Sequence, residues 1–393
     1  NLLFDRGDLP GARQLYEQAL TTFRTLGNKG AEAGALNNLA VVLRRQGDGA
    51  AAVGLYEQVL ALARETGNRY GEASTLGNLG TLSTGRGELG KARDLLERSL
   101  ALRRQLDDPA GVASALDNLG TVLRRQGDLT GARQRQEESL AARRKIGQKA
   151  GEAASLVGLG LTLLDQGDLA AAKQRFDESL ALCKKLGNRS LETSARYGVA
   201  EVLARQGDLS GARAAHEEAL RLRTELGEKS QEAASRLGLA GVLLGAGDPQ
   251  SLARAETEAR AAAEELGRQG AIADQAVALS LAGEAGERLG HATARAAIAQ
   301  ARGLIGGEVA KQDAKARLIV AVRSARGLAP AAAQKELEAV LAEAEKLGLI
   351  ELRFEASLAL ANLDRSPAGA ARRATIAREA QARGYVELAR RAG

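Results

Sequence analysis

Residues able to carry chemistry are few. The chain of 393 residues holds two histidines, His216 and His291, and one cysteine, Cys183. His216 is followed by Glu217, but no second histidine comes at the spacing a zinc site needs. His216 also stands in register with Tyr16, Tyr56 and Phe176, one fixed interval or a multiple of it away, so a packing role is expected. His291, at a helix start, has no metal-binding companion either. The lysines after Cys183 favour a thiolate, yet no His or Asp at helical spacing would activate it. A single cysteine also excludes an internal disulfide. The Gly158-Leu159-Gly160 run lies inside a helical pattern, not between a strand and a helix, and Gly90-Lys91 lacks the spacing of a phosphate loop. The carboxylates fall at helix starts and on polar faces, where capping and solvation account for them. No catalytic residue, metal or cofactor is expected; the chain is read as a binding protein, not an enzyme.

Composition narrows the partner. Lys+Arg is 55 against Asp+Glu 49, and the net charge of +6 is interspersed. The basic clusters Arg103-Arg104, Arg143-Arg144-Lys145 and Lys184-Lys185 fall near helix C-termini, where positive charge suits the helix dipole. With 4 Phe, 5 Tyr and no Trp the chain has few platforms for stacking bases, so nucleic acid is disfavoured. No run of about 18 apolar residues is present, so no membrane insertion is expected here. The first residues, Asn-Leu-Leu-Phe-Asp, lack the regions of a signal peptide. With no Met in the chain, residue 1 is not expected to be a translation start, and the sequence reads as part of a longer protein. A cytoplasmic location is expected, or an extracytoplasmic one if a preceding segment spans a membrane.

The elements that must position a binding surface announce themselves by repetition. A Gly-Asp or Gly-Glu pair recurs at Gly7, Gly47, Gly87, Gly127, Gly167, Gly207 and Gly247. The interval never changes, and a period of about 40 residues means a stacked array. Each unit reads as two helices. Asn28 caps the first, with Ala33, Leu36, Leu39, Ala40 and Leu43 as its apolar stripe. Gly47 breaks the chain, and Asp48 caps a second helix carrying Ala52, Leu55, Tyr56, Val59 and Leu62. Gly67 ends it in the left-handed conformation. Asn68, Asp108 and Asn188 repeat the first cap, with Gln148 and Glu228 as weaker versions, and Pro109 suits a first helical position. Small residues at 40, 80, 120, 160, 200 and 240, and alanines at 12, 52, 92, 132, 172 and 212, mark close helix contacts. Neither helix can bury its stripe alone, so stacked hairpins are predicted, each touching only its neighbours.

Asn38-Leu39-Ala40, Asn78-Leu79-Gly80 and Asn118-Leu119-Gly120, with the Gly-Asp pair, Ala52 and Tyr56, resemble the tetratricopeptide repeat. The usual unit of that repeat has about 34 residues. This one is longer, similar to Pins-type scaffolds, and Gly27, Gly67, Gly147, Gly187 and Gly227 stand where the consensus has Pro. The resemblance implies an all-α, right-handed α-solenoid of antiparallel helix pairs. Two regions are expected. Residues 1–249 form the regular array with a truncated first repeat, and 250–393 form degenerate repeats, with helices near 251–267, 271–287, 290–305, 308–326, 331–347, 349–362 and 366–382. A last helix at 384–391 closes the exposed end. The array, the Ala-Arg-rich helix 252–267 and the Phe354–Leu360 and Ala382–Tyr385 segments also resemble the C-terminal region of bacterial multidomain signalling proteins of the serine/threonine kinase or winged-helix type.

In this family the first helices line a concave groove. The resemblance places Asn37, Asn38 and Arg44 there in the second unit, Asn78 and Thr81 in the third, Asp117, Asn118, Thr121 and Arg124 in the fourth, and Tyr197 and Glu201 in the sixth. Asn38, Asn78 and Asn118 form a ladder whose amides can pair with an extended peptide backbone, or tie one helix to the next. Arg44 and Arg124 suit acidic side chains or a terminal carboxylate. Val157, Leu161, Leu164, Leu237 and Leu244 predict a more apolar groove towards the C-terminus. The expected partner is a protein or peptide. Self-association through exposed solenoid ends is the second reading, and an RNA-binding superhelix the third.

Overall fold

The computed structural model describes residues 9–393, the side chain of Ser230 excepted. The Gly7-Asp8 mark lies outside the described residues. Within them the chain is all helical. The array comprises α1 (Leu9–Thr25), α2 (Lys29–Arg45), α3 (Gly49–Glu65), α4 (Arg69–Gly85), α5 (Leu89–Gln105), α6 (Pro109–Gln126), α7 (Leu129–Lys145), α8 (Lys149–Asp165), α9 (Leu169–Leu186), α10 (Arg189–Arg205), α11 (Leu209–Glu225) and α12 (Lys229–Ala246). It continues as α13 (Pro249–Arg268), α14 (Ile272–Leu289), α15 (Ala294–Ile305), α16 (Ala314–Ser324), α17 (Pro330–Leu347), α18 (Ile350–Leu363), α19 (Pro367–Ala382) and α20 (Val386–Ala392).

The caps act where the residue types said they would. Asn28 Oδ1 accepts from the Ala31 N–H at 3.0 Å, and Asp48 Oδ1 from the Ala51 N–H at 3.0 Å. Asn68, Asp108, Asp128, Asp168, Asn188 and Asp208 do the same. Glu88, Gln148 and Glu228, one methylene longer than Asp or Asn, make no side-chain cap bond. Each short turn between helices needs one residue at positive φ, such as Gly47 (88°) and Gly67 (67°). This lets the following N–H reach back into the helix, as Asp48 N–H does to the Leu43 carbonyl at 2.9 Å. Among the described residues only Asp107, at φ 50°, does this without being glycine.

Helix contacts follow the two columns of residue size. A Cβ on Gly80 would lie 2.6 Å from the Leu96 side chain, one on Gly160 2.6 Å from the Phe176 ring, and one on Gly238 2.4 Å from the His216 ring. The large column therefore fills notches left by the small one. His216 is fully buried there, edge-on to Tyr197, as a packing residue should be.

The expectation that hairpins meet only their neighbours is corrected. The array coils tightly enough that its later hairpins lie along the turns of the earlier ones. The Gly90 N–H donates to Gln312 Oε1 at 2.8 Å. Leu347 meets Gly127, Ile350 meets Gly167 and Val386 meets Gly207. Helix α16 contacts α6, and α20 contacts α10, so about five hairpins complete one superhelical turn. Leu129 shares a core with Leu318, Val322, Leu337 and Val340. Leu159, Leu163, Leu164 and Phe176 share another with Phe354, Leu358, Tyr385 and Leu388. Helix α20 thus docks on the side of the array, where Tyr385 and Leu388 bury their apolar surface. Charge joins the turns as well. Arg125 meets Asp274 at 3.0 Å and Asp313 at 2.6 Å, Lys315 meets Asp165 at 2.5 Å, and Arg205 meets Glu351 at 2.5 Å. The helix expected over 308–326 is shorter. Asp313 caps α16, accepting from the Ala316 N–H at 2.9 Å, and 3₁₀ turns at Ala310–Gln312 and Ala325–Gly327 flank it.

Two outcomes follow for stability. Asp107→Gly should raise the urea midpoint, a gain of about 0.5–1 kcal/mol from removing a left-handed side chain. Gly147→Ala, at a site with open space around the added carbon, should lower it, a loss of about 1 kcal/mol of stability; unchanged midpoints in both would remove the turn explanation. Burial opposes ionisation of Asp165, but Lys315 and Arg124 more than offset it and hold its carboxyl below the usual range. Its contribution is present above the unfolded carboxylate value of about 4 and is lost as pH falls below that. Asp165→Asn should therefore lower the melting temperature at pH 7 and flatten its fall below pH 4, followed by circular dichroism.

Candidate inner-wall site

The first helices of successive hairpins contact one another, α4 with α6, α6 with α8, α8 with α10 and α10 with α12, and the predicted groove residues lie along these helices and α2. Their polar groups bond mainly to one another. Asn78 Nδ2 donates to Asn37 Oδ1 at 3.1 Å, and Asn118 Nδ2 donates to Thr81 Oγ1 at 3.1 Å. The ladder thus links adjacent inner helices. Asn38 is half-buried beside it, and Thr121 returns its hydroxyl to the Asp117 carbonyl at 3.2 Å. Thr81 and Arg44 are exposed.

The acidic and basic members are paired internally. Asp117 Oδ2 accepts from Arg143 at 2.9 Å and from Ser155 at 2.9 Å. Burial still raises its carboxyl against those contacts, and its Oδ1 is buried without a hydrogen-bond partner among the described residues. Arg124, predicted to grip an acid of the ligand, holds Asp165 at 2.8 Å. Glu201 lies between Arg205 at 2.9 Å and His216 Nε2 at 3.4 Å. Burial would raise Glu201, but His216 and Arg205 more than offset it and hold it well below the usual range. Tyr197 packs between His216 and Arg223, and burial raises its phenol. The apolar positions expected in the C-terminal groove are used for packing: Leu164 and Leu244 are buried, and Val157, Leu161 and Leu237 lie against core clusters.

Two periodic features escaped the sequence reading. Ser99, Ser139 and Ser179 donate from the second helices to the carbonyls of Ala73, Ala113 and Ala153 at 2.7, 2.8 and 2.8 Å. Arg103, Arg143 and Arg223 form a second column. Arg103 reaches Asp108 at 2.6 Å and Ser74 at 3.2 Å, and Arg143 reaches Ser114 at 3.2 Å beside Asp117. Dipole compensation is only part of what these arginines do. Their recurrence at the repeat interval was the available signal. His291 also has a partner, Glu256, at 2.7 Å. Among the described residues no group of three or more His, Cys, Asp or Glu is placed to hold a metal, and no helix is long and apolar enough to cross a membrane.

Models of the tetratricopeptide repeat match residues 1–26, 31–105, 111–185 and 157–226, together more than half of the chain. The chain belongs to the tetratricopeptide repeat family. No curated protein matches the sequence. Among solved structures, a Rap protein complexed with competence and sporulation factor is similar, with TM-score 0.58 and 15% identity over 76% of this chain and 80% of that one. BtubC from P. vanneervenii gives 0.45 and 20%, over 55% and 91%. A signal-transduction ATPase with a tetratricopeptide repeat sensor, from Pyrococcus horikoshii, gives 0.45 and 14%, over 74% and 43%. The likeness to the Rap protein is one of fold.

As a tetratricopeptide repeat whose asparagines bridge helices, the chain should lose about 1 kcal/mol on Asn78→Ala, the worth of one neutral hydrogen bond, with helicity unchanged. An unfolding midpoint identical to the parent's would show that the bridge carries no stability.

Proposed function

We propose that the chain is a non-catalytic scaffold or sensor module that holds an extended segment of a partner protein along its inner curve, at the N-terminal hairpins. The observation that carries this reading is the division of surface. Leucine and alanine faces are consumed between hairpins, whereas the inner faces of α2, α4 and α6 stay polar and partly open at Asn38, Arg44, Asn78, Thr81, Asn118 and Thr121. Thr81 and the asparagines retain further donor and acceptor capacity beyond the bonds they make. The Rap protein of the same fold, solved with competence and sporulation factor, supports a ligand-responsive role. The resemblance of the later helices to bacterial signalling proteins fits a module that reports to a domain elsewhere in a longer protein.

The test is selection of peptides from a random display library on the purified chain, followed by titration of the selected peptides. Thr81→Trp, which fills the curve at an exposed position, should weaken them at least 10-fold, and Glu97→Trp, an exposed position on second helix α5, should not. Equal binding by parent and Thr81→Trp would overturn the inner-curve site.

A further inference from the structure

The later inner helices carry a charge imbalance that the reading above does not use. Helices α14, α16, α18 and α20, with the turn after α16, bring Arg288, Arg323, Arg326 and Arg391 together with Glu284 and Glu355. Glu284, with its side chain 6% exposed, takes Arg288 at 2.9 Å, Arg326 at 2.7 Å and Arg323 at 3.5 Å. Glu355 takes Arg391 at 2.7 Å. Glu351, the preceding acid on α18, pairs with Arg205, and Glu287, beside Gly327, makes no ion pair with any of the four among the described residues. By direct ion pairing two carboxylates thus serve these four guanidiniums, with Glu351 and Glu387 acting on Arg323 and Arg391 from farther away.

Arg323 is the least satisfied. Besides its long approach to Glu284 it has one hydrogen bond, to Ser280 Oγ at 3.3 Å, and its Nη2 makes no hydrogen bond among the described residues. Arg125 and Arg205 each hold two carboxylates, and those pairings keep both guanidiniums more firmly protonated than usual despite burial. Arg323 differs: burial pushes its guanidinium down, and Glu284 does not restore it. It is nonetheless open to solvent, 22% exposed, and Arg326 and Arg391 beside it are 44% and 32% exposed. Arg323 is thus partly desolvated yet reachable from water, and a lowered dielectric strengthens attraction to an anion.

We propose that the inner wall of the second superhelical turn is an anion-binding site, in which Arg323, flanked by Arg326 and Arg391, takes a carboxylate or phosphoryl group of an acidic ligand. It deepens the inner-curve reading by giving the ligand's charge a place, and it does not depend on which segment the N-terminal hairpins hold.

The full chain is titrated calorimetrically at low ionic strength with inorganic phosphate, a hexaglutamate peptide and a hexaglutamine peptide. At least one of phosphate and hexaglutamate should bind and hexaglutamine should not; which binds tells a phosphoryl source from a carboxylate one. Arg323→Gln and, at a more exposed site, Arg326→Gln should each weaken binding about 10-fold, with the circular dichroism spectrum unchanged. Arg390→Gln, whose parent side chain is exposed and pairs with Glu387, should leave it intact. Absence of binding by the parent chain, or equal affinity in Arg326→Gln and the parent, would overturn the site. Loss of anion binding with peptide binding at Thr81 preserved would remove this site alone.

Discussion

A pair of helices, each 17 residues long as in α2 and α3, has two apolar faces and can cover only one of them by folding on itself. The second face needs the next hairpin, and that hairpin needs another. This constraint generates the array, and the size of the residues at the contact sets its curvature. Where Gly80, Gly120 and Gly160 meet Leu96, Gln136 and Phe176, the inner and outer helices of a hairpin come within side-chain reach of backbone. A solenoid built this way coils. At about five hairpins per turn it coils until it meets itself.

That meeting separates this chain from a simple nearest-neighbour stack. The edge formed by Gly87, Gly127, Gly167 and Gly207 becomes a seat for Val309, Leu347, Ile350 and Val386. The ion pairs of Arg125, Asp165 and Arg205 lie along the same junction, and burial opposes each of them. Such pairs are weak sources of net stability and strong sources of specificity, because a shifted seat would leave a buried charge unpaired. They fix how the turns face each other, and with that the shape of the inner wall.

Much of the fold was written in the period. Caps, turn glycines and the small and large columns recur with the repeat, and the failing caps at Gln148 and Glu228 are departures visible at the same register; all are local properties. The packing of turn on turn was not legible. Gln312, Leu347 and Ile350 have no periodic relation to Gly90, Gly127 and Gly167, so no pattern within a unit points to them. The candidate groove was legible by position and not by bonding. Nothing around Arg124 or Glu201 in sequence reveals that Asp165 and His216 lie against them. Val157 and Leu161 read as an open apolar groove because the helices that bring Phe354 and Tyr385 to the same cluster come from the far end of the chain.

The junction between turns can be measured directly by placing one spin label at Lys91 and another at Lys311, both exposed and beside the Gly90–Gln312 contact, and recording their distance distribution by pulsed electron resonance. One narrow, short distance is predicted, and it should lengthen only when the protein unfolds. A long or broad distribution in the folded chain would show the hairpins running on as an open superhelix, and the account of a second turn resting on the first would be wrong.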